Sequence, residues 1–350
     1  MLTYNGFEVF IIMDIINPST DVHRVFFGPL WPCLEPSPHQ RQCLKFPDTD
    51  YLEIGLSRVL LMVQSGRDLL QRLSLLRPTC PANSNFFESL KSDRRLAMVQ
   101  DVADRLRHRS ARTLPDRLAK FFALDAFDVY AGDGHSHDHA CHDAAVDGAK
   151  LCITHLYTRN LRDDWLSHLS LCEVKEKGNH HDMAVLKSLD PATLRQGAKK
   201  GRKVRQTNEM TLPPGLIAHL YKMRWNIEKS FDEFKNKLHE AKAWGSSENA
   251  KRLQAQFLCL AVNLLSLLNH HLESNENVRN EAEIARRQQR LDAAIEGAAK
   301  IGRILPLALR KLQHLTQHSV KLTRWVAALL FHPVPWDRAV SSLRASYAQL

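Results

Sequence analysis

The sequence predicts an α/β fold, with a small sheet in the middle of the chain and helices before and after it. Three observations carry this. From Phe127 to Gly132 apolar and polar residues alternate with the two-residue period of a strand. Lys150 to Thr158 (Leu151, Ile153, Leu156) suggests a second strand and Trp165 to Val174 a third, with a turn before it at Asp163-Asp164. On both sides apolar residues recur at helical spacing, as at Leu96, Val99, Ala103 and Leu106, and again at Leu253, Phe257, Ala261, Leu264 and Leu268.

Taken in order, residues 1–50 are rich in proline (Pro18, Pro29, Pro32, Pro36, Pro38, Pro47) and are expected to form a poorly ordered or loosely docked leader. The apolar start is interrupted by Glu8 and Asp14 and lacks a basic region and a small-residue cleavage site, so it does not read as a signal peptide. Residues 51–124 are expected to be helical. Ser92 can cap the helix that carries Leu96 and Val99, and Arg94, Arg95, Arg105 and Arg107 line its other side. On the residues alone that side reads as a solvated basic face.

Residues 125–275 hold the predicted sheet and the helices behind it. Asp133 is expected to end the first strand, followed by Gly134, a position from which a carboxylate is presented rigidly into a cleft. His135, His137, His139 and His142 follow, with Asp138 and Cys141 among them. Their spacing does not define a zinc site, and they are read as a loop bordering the cleft, with a transition-metal site as the alternative. His180 to Leu189 reads as a helix, and Lys199 to Arg205 is a basic run. The longest apolar run, Phe257 to Leu268, contains Asn263 and Ser266 and is short for a bilayer, so it reads as a buried helix. Residues 276–350 form a basic helical region, with nine Lys or Arg against two acids between Ala285 and Trp325.

A length of 350 residues accommodates one large or two modest domains, and a hydrophobic fraction of 44% is enough for a core. The net charge of +10 draws the protein to a polyanion, nucleic acid first and an anionic membrane surface second. Seven cysteines without disulfide or zinc-ribbon spacing favour a reducing compartment.

The stretch from Tyr221 to Lys235 is unusual for a surface helix. Wound at about 100° per residue, Tyr221, Arg224, Glu228 and Lys235 fall within an arc of roughly 60°. Leu220, Ile227, Phe231, Phe234 and Leu238 form an apolar stripe beside it, and Lys222, Asn226, Lys229 and Glu233 cover the solvent side. Ion pairing of Arg224 with Glu228 would account for part of the row. Arg224 and Lys235 are also natural phosphate partners, one by its fork and the other as a point charge. Trp225, at the edge of the arc, is read as a packing residue.

The spacing Tyr-x2-Arg-x3-Glu-x6-Lys at Tyr221, Arg224, Glu228 and Lys235 resembles the motif of bacterial insertion-sequence transposases with a DDE active site. The words Tyr-Lys-Met-Arg-Trp and Phe-Asp-Glu-Phe-Lys-Asn-Lys are similar to that family as well, and the similarity runs from about Tyr51 to about Leu268. The resemblance implies an RNase H-like core, here an incomplete mixed sheet flanked by helices, with N-terminal and C-terminal helical regions. It implies that Asp133 and Glu228 are the first and last catalytic acids and ligate Mg²⁺ or Mn²⁺. It also implies that Tyr221, Arg224 and Lys235 touch phosphates of double-stranded transposon ends, and that the region 51–124 helps to bind those ends.

One part of the family pattern is absent. No Asp occurs between Asp190 and Asp232, and the basic run leads at once into Gln206-Thr207-Asn208-Glu209. An internal deletion near 204–206 is inferred, removing the second acid. Asp182 and Asp190 lie before the basic run and not at a strand end, and Glu209 is not assigned. The chain is therefore expected to be a DDE transposase by descent with a defective centre and impaired metal binding. The alternative is a non-catalytic DNA-binding remnant, and a His-rich metal hydrolase is a third reading. The partners implied are duplex DNA and a second copy, as a homodimer or with an intact transposase. The expected place is the bacterial cytoplasm, on DNA and away from the membrane.

Overall fold

A computed structural model describes residues 21–41, 45–61, 63, 65–76, 80–111, 113–140, 152–173, 212–238, 242–304 and 316–348. The predicted strand segments form three strands, β1 (Tyr130–Asp138), β2 (Cys152–Asn160) and β3 (Leu166–Glu173), in the order β1-β2-β3. Each is antiparallel to the next, so among the described residues the sheet is an antiparallel meander and not the expected mixed sheet. The single parallel contact among them is an isolated bridge between Asp138 and Lys242. β1 begins later and runs further than predicted. Asp133 sits in its middle, opposite Tyr157, and does not end it.

Before the sheet lie α1 (Val22–Phe27), α2 (Trp31–Leu34), α3 (Asp48–Leu60), α4 (Gly66–Leu76), α5 (Asn83–Ser89) and α6 (Asp93–Ser110). Ser92 caps α6 by accepting from the Arg95 amide. The described part of the proline-rich leader is docked, because Val22, Phe26, Phe27, Leu30 and Cys33 are fully buried in the main core. Proline is accommodated here at helix starts, where a missing amide costs nothing.

Of the four arginines expected to line α6, Arg94, Arg95 and Arg107 are tied to other parts of the fold. Arg94 grips Asp48 with two hydrogen bonds of 2.7 and 2.9 Å. Arg95 is buried, donates to the Phe46 carbonyl and lies over the Phe46 and Tyr51 rings. Arg105 pairs with Asp101, and Arg107 donates to the Tyr130 hydroxyl. Three of the four arginines expected on the basic face are thus internal ties, and Arg105 pairs along its own helix.

After the sheet come α7 (Pro214–Met223), α8 (Trp225–Asp232), a π-helical turn (Glu233–Lys237), α9 (Glu248–Asn275), α10 (Glu281–Lys300), α11 (Thr316–Leu329) and α12 (Trp336–Ala348). α9 packs against α3, α6 and β3 and is the centre of the main core. It is long and apolar enough to cross a membrane by length and composition, but 67% of its apolar window is buried inside the fold, which marks a core helix. Asn263, which interrupted the apolar run in sequence, is buried and bonds both backbone groups of Leu166 at 3.0 and 2.8 Å. It satisfies both backbone groups of the first residue of β3, which pairs with Arg159 of β2.

One contiguous core extends from Val22 to Tyr347 and includes Leu322, Trp325 and Trp336 of the basic C-terminal region. The helix expected at His180–Leu189, the basic run at Lys199–Arg205, and Asp182, Asp190 and Glu209 lie outside the described residues, as does the inferred deletion at 204–206.

Candidate functional site

Two elements make the site. β1 supplies Asp133, and the segment of α7, α8 and the π-turn supplies Tyr221, Arg224, Glu228 and Lys235. α8 lies on β1 and β2 because its apolar stripe is buried against them. Ile227 and Phe234 are fully buried, and Phe231 stacks on His135 with ring centroids 4.9 Å apart.

This packing brings the two predicted acids to one guanidinium. Arg224 Nη2 donates to Glu228 Oε1 at 3.1 Å, and Nη1 lies 3.5 Å from Asp133 Oδ2. Asp133 Oδ1 accepts from the Gly134 amide at 3.0 Å. Arg224 Nε is buried and has no hydrogen-bond partner among the described residues. Tyr221 and Trp225 flank the guanidinium, with ring centroids 5.7 and 5.9 Å from its carbon. Both rings are about half exposed, so Trp225 presents a large aromatic surface to solvent beyond the packing role expected of it.

Lys235 departs from the ideal arc. The backbone is π-wound over residues 233–237, with Leu238 N donating to Glu233 O at 2.9 Å across five residues. A π-turn inserts extra backbone into the helix and rotates the residues beyond it, and such turns recur at functional sites. Lys235 lies exposed on this turn. The even winding assumed from sequence does not hold past Asp232.

A second constellation, not foreseen from sequence, holds α8 in place. Arg159 of β2 makes a two-point pair with Asp164 at 2.6 and 2.7 Å and also donates to Ser230 Oγ, on the buried side of α8. Arg117 adds a third contact to Asp164 at 2.7 Å. Burial opposes charge on both groups, yet the attraction of Arg159 prevails and holds the Asp164 carboxyl below the usual carboxylate range. Asp164 adopts a left-handed backbone, φ +63°, at the β2–β3 turn, a conformation that Asp tolerates better than most residues. The only sequence signal was the Asp-Asp turn. Its pairing with Arg159 depends on the hairpin closing.

The histidines are a third feature. His135 and His137 are in β1, not in a loop, and both point into the fold. His137 stacks on His155 of β2 with centroids 5.0 Å apart, and His155 Nδ1 lies 3.0 Å from His168 Nε2 of β3. Burial first, then the neighbouring His168, His137 and His135 rings and Lys251, keeps His155 well below the usual histidine range. Burial, reinforced by Arg252, brings His168 down to about 3. His155 and His168 were not singled out from sequence, because single histidines in separate strands carry no local pattern. His142 and Cys141 lie outside the described residues.

As arranged, the acids do not fit a two-ion centre. A guanidinium stands between Asp133 and Glu228, and among the described residues no group of three or more His, Cys, Asp or Glu side chains could hold a metal ion.

Residues 156–264 match the family model described as a transposase DDE domain. The match spans under a third of the chain. It includes Tyr221, Arg224, Glu228 and Lys235, and begins after Asp133. No curated protein and no solved structure matches the chain.

Proposed function

We propose that this chain is a DDE-type DNA transposase by descent, with an RNase H-like core, which holds duplex DNA at insertion-sequence ends and no longer cuts it. What supports the reading is one juxtaposition. A strand-borne Asp133 and a helix-borne Glu228 face each other beside Arg224, in a chain whose segment 156–264 is similar to the transposase DDE domain.

Enzymes of this type transfer phosphoryl groups with two cations that clamp the attacking and leaving oxygens. Each cation needs anionic oxygen ligands, which is why three carboxylates are wanted. Here the chain offers Asp133 and Glu228, and its sequence has no Asp between Asp190 and Asp232. No metal-dependent step is assigned to it. Tyr221, Arg224 and the exposed Lys235 are the proposed phosphate contacts, backed by a net charge of +10. The partner is duplex DNA, and a second transposase copy is the protein partner proposed. Localisation on bacterial DNA in the cytoplasm follows from the same reading.

The test is a pair of measurements on the full chain. Incubation of an end-labelled duplex carrying insertion-sequence ends with the protein and Mg²⁺ or Mn²⁺ is expected to give no strand cleavage, and robust cleavage would overturn the defect. In anisotropy titrations against salt, the same duplex is expected to bind, and Lys235→Ala should lower the slope of log K on log salt by about 1. A duplex that does not bind at low salt would remove the DNA reading.

A further inference from the structure

The pocket between Asp133 and Glu228 is where the proposed ancestry would put a divalent cation, and the structure places one of the chain's own side chains there. Arg224 reaches Glu228 at 3.1 Å and Asp133 at 3.5 Å, setting one positive charge between two negative ones. Its side chain is held from both sides by the Tyr221 and Trp225 rings. Its Nε is buried without a hydrogen-bond partner among the described residues, so the guanidinium has not reached its full complement of acceptors there.

We infer that Arg224 is an internal counter-ion, and that a divalent cation and the Arg224 guanidinium are alternative occupants of the two-acid pocket. The inference rests on the reading of this pocket as derived from a DDE centre. The physical argument is electrostatic. A divalent cation drawn to the two carboxylates meets a fixed guanidinium at the same oxygens, and like charges this close exclude one another. The pocket is only partly shielded, with side-chain exposures of 14% for Asp133, 23% for Arg224 and 35% for Glu228, so access by itself does not bar an ion.

The two contacts are unequal in kind. Arg224 and Glu228 are one turn apart on the same helical segment and move together. Asp133 is on a separate element and is held by the longer contact.

The experiment is Mn²⁺ binding by the full chain without DNA, read as loss of the free-ion electron paramagnetic resonance signal. The wild-type protein is expected to show no saturable binding up to about 1 mM. Arg224→Met should bind at least about tenfold more tightly. Adding Asp133→Asn or Glu228→Gln to Arg224→Met should abolish the gain. Arg224→Gln, which keeps a polar side chain and removes the charge, is the second variant. It should also gain affinity, and it is decisive if circular dichroism shows Arg224→Met unfolded. Equal Mn²⁺ affinity in the wild type and in a folded Arg224 variant would overturn the inference, as would a gain that survives loss of either acid. Either result leaves the DNA reading intact. Conversely, failure to bind duplex DNA removes that reading and leaves the competition between cation and guanidinium standing.

Discussion

Asp133 and Glu228, one on a strand and one on a helix, meet through a single guanidinium, that of Arg224. The arrangement has a consequence for DNA. If Arg224 and its neighbours contact phosphate, the two carboxylates oppose it, both by repelling the backbone and by occupying the fork. Asp133→Asn and Glu228→Gln are each expected to raise the affinity for duplex DNA roughly severalfold at low salt, in the absence of divalent cation. Anisotropy titrations decide this. Weaker binding by both variants would mean that the acids help to hold DNA.

The Arg159–Asp164 pair is buried and fully engaged, and it ties the β2–β3 hairpin to Ser230 beneath the Glu228 helix. Removing Arg159 leaves the buried Asp164 carboxylate with the half-exposed Arg117 as its ion-pair partner. Arg159→Met is expected to lose about 3–5 kcal/mol of stability, measured as a drop in the urea midpoint. The double variant Arg159→Met/Asp164→Asn should recover part of that loss, since Asn suits the left-handed turn and leaves no buried charge there.

Asn263 offers a test of how α9 holds the sheet. Its amide satisfies the Leu166 N–H and carbonyl together. Asn263→Leu keeps much of the volume and removes both bonds, leaving two buried backbone groups unpaired. A loss of roughly 1–3 kcal/mol is expected. An unchanged melting temperature would show that Leu166 finds other partners.

The buried histidines make stability depend on pH. His168, ordinarily near 6.5, is held down to about 3 in the fold, so the unfolded chain binds its proton first as pH falls. Stability is therefore full above pH 6.5 and is lost progressively from there toward pH 3. Between pH 6.5 and 5, before most carboxylates titrate, this group should account for about 1–2 kcal/mol. His168→Gln should flatten the slope of unfolding free energy in that interval. An identical slope in the variant would show that His168 is protonated in the folded state as readily as in the unfolded chain.

Local pattern was enough for the elements themselves. Period-two alternation marked the first strand and apolar segments suggested the next two, helical spacing and a serine cap marked α6, and the apolar run marked α9 as interior. The row Tyr221, Arg224, Glu228 and Lys235 was legible because its members share one helical segment, where separation in sequence translates directly into position. The same locality explains what sequence misplaced. The limits of β1 depend on how far β2 pairs with it, which carried the strand past Asp133 and enclosed His135 and His137, both expected in a loop.

What only the tertiary structure decided is every relationship between elements. That Arg224 lies against Asp133, that Arg159 reaches Ser230, that His155 and His168 touch, and that Arg94 and Arg95 reach Asp48 and Phe46 each depend on contacts between residues apart in the chain. Such contacts arise from burial of the apolar faces of the α8 segment and α9 against the sheet, a non-directional force that leaves no local trace in composition or spacing. Residue periodicity follows from backbone geometry and is readable one segment at a time. Charge partnership follows from packing, and it exists only once the segments have met.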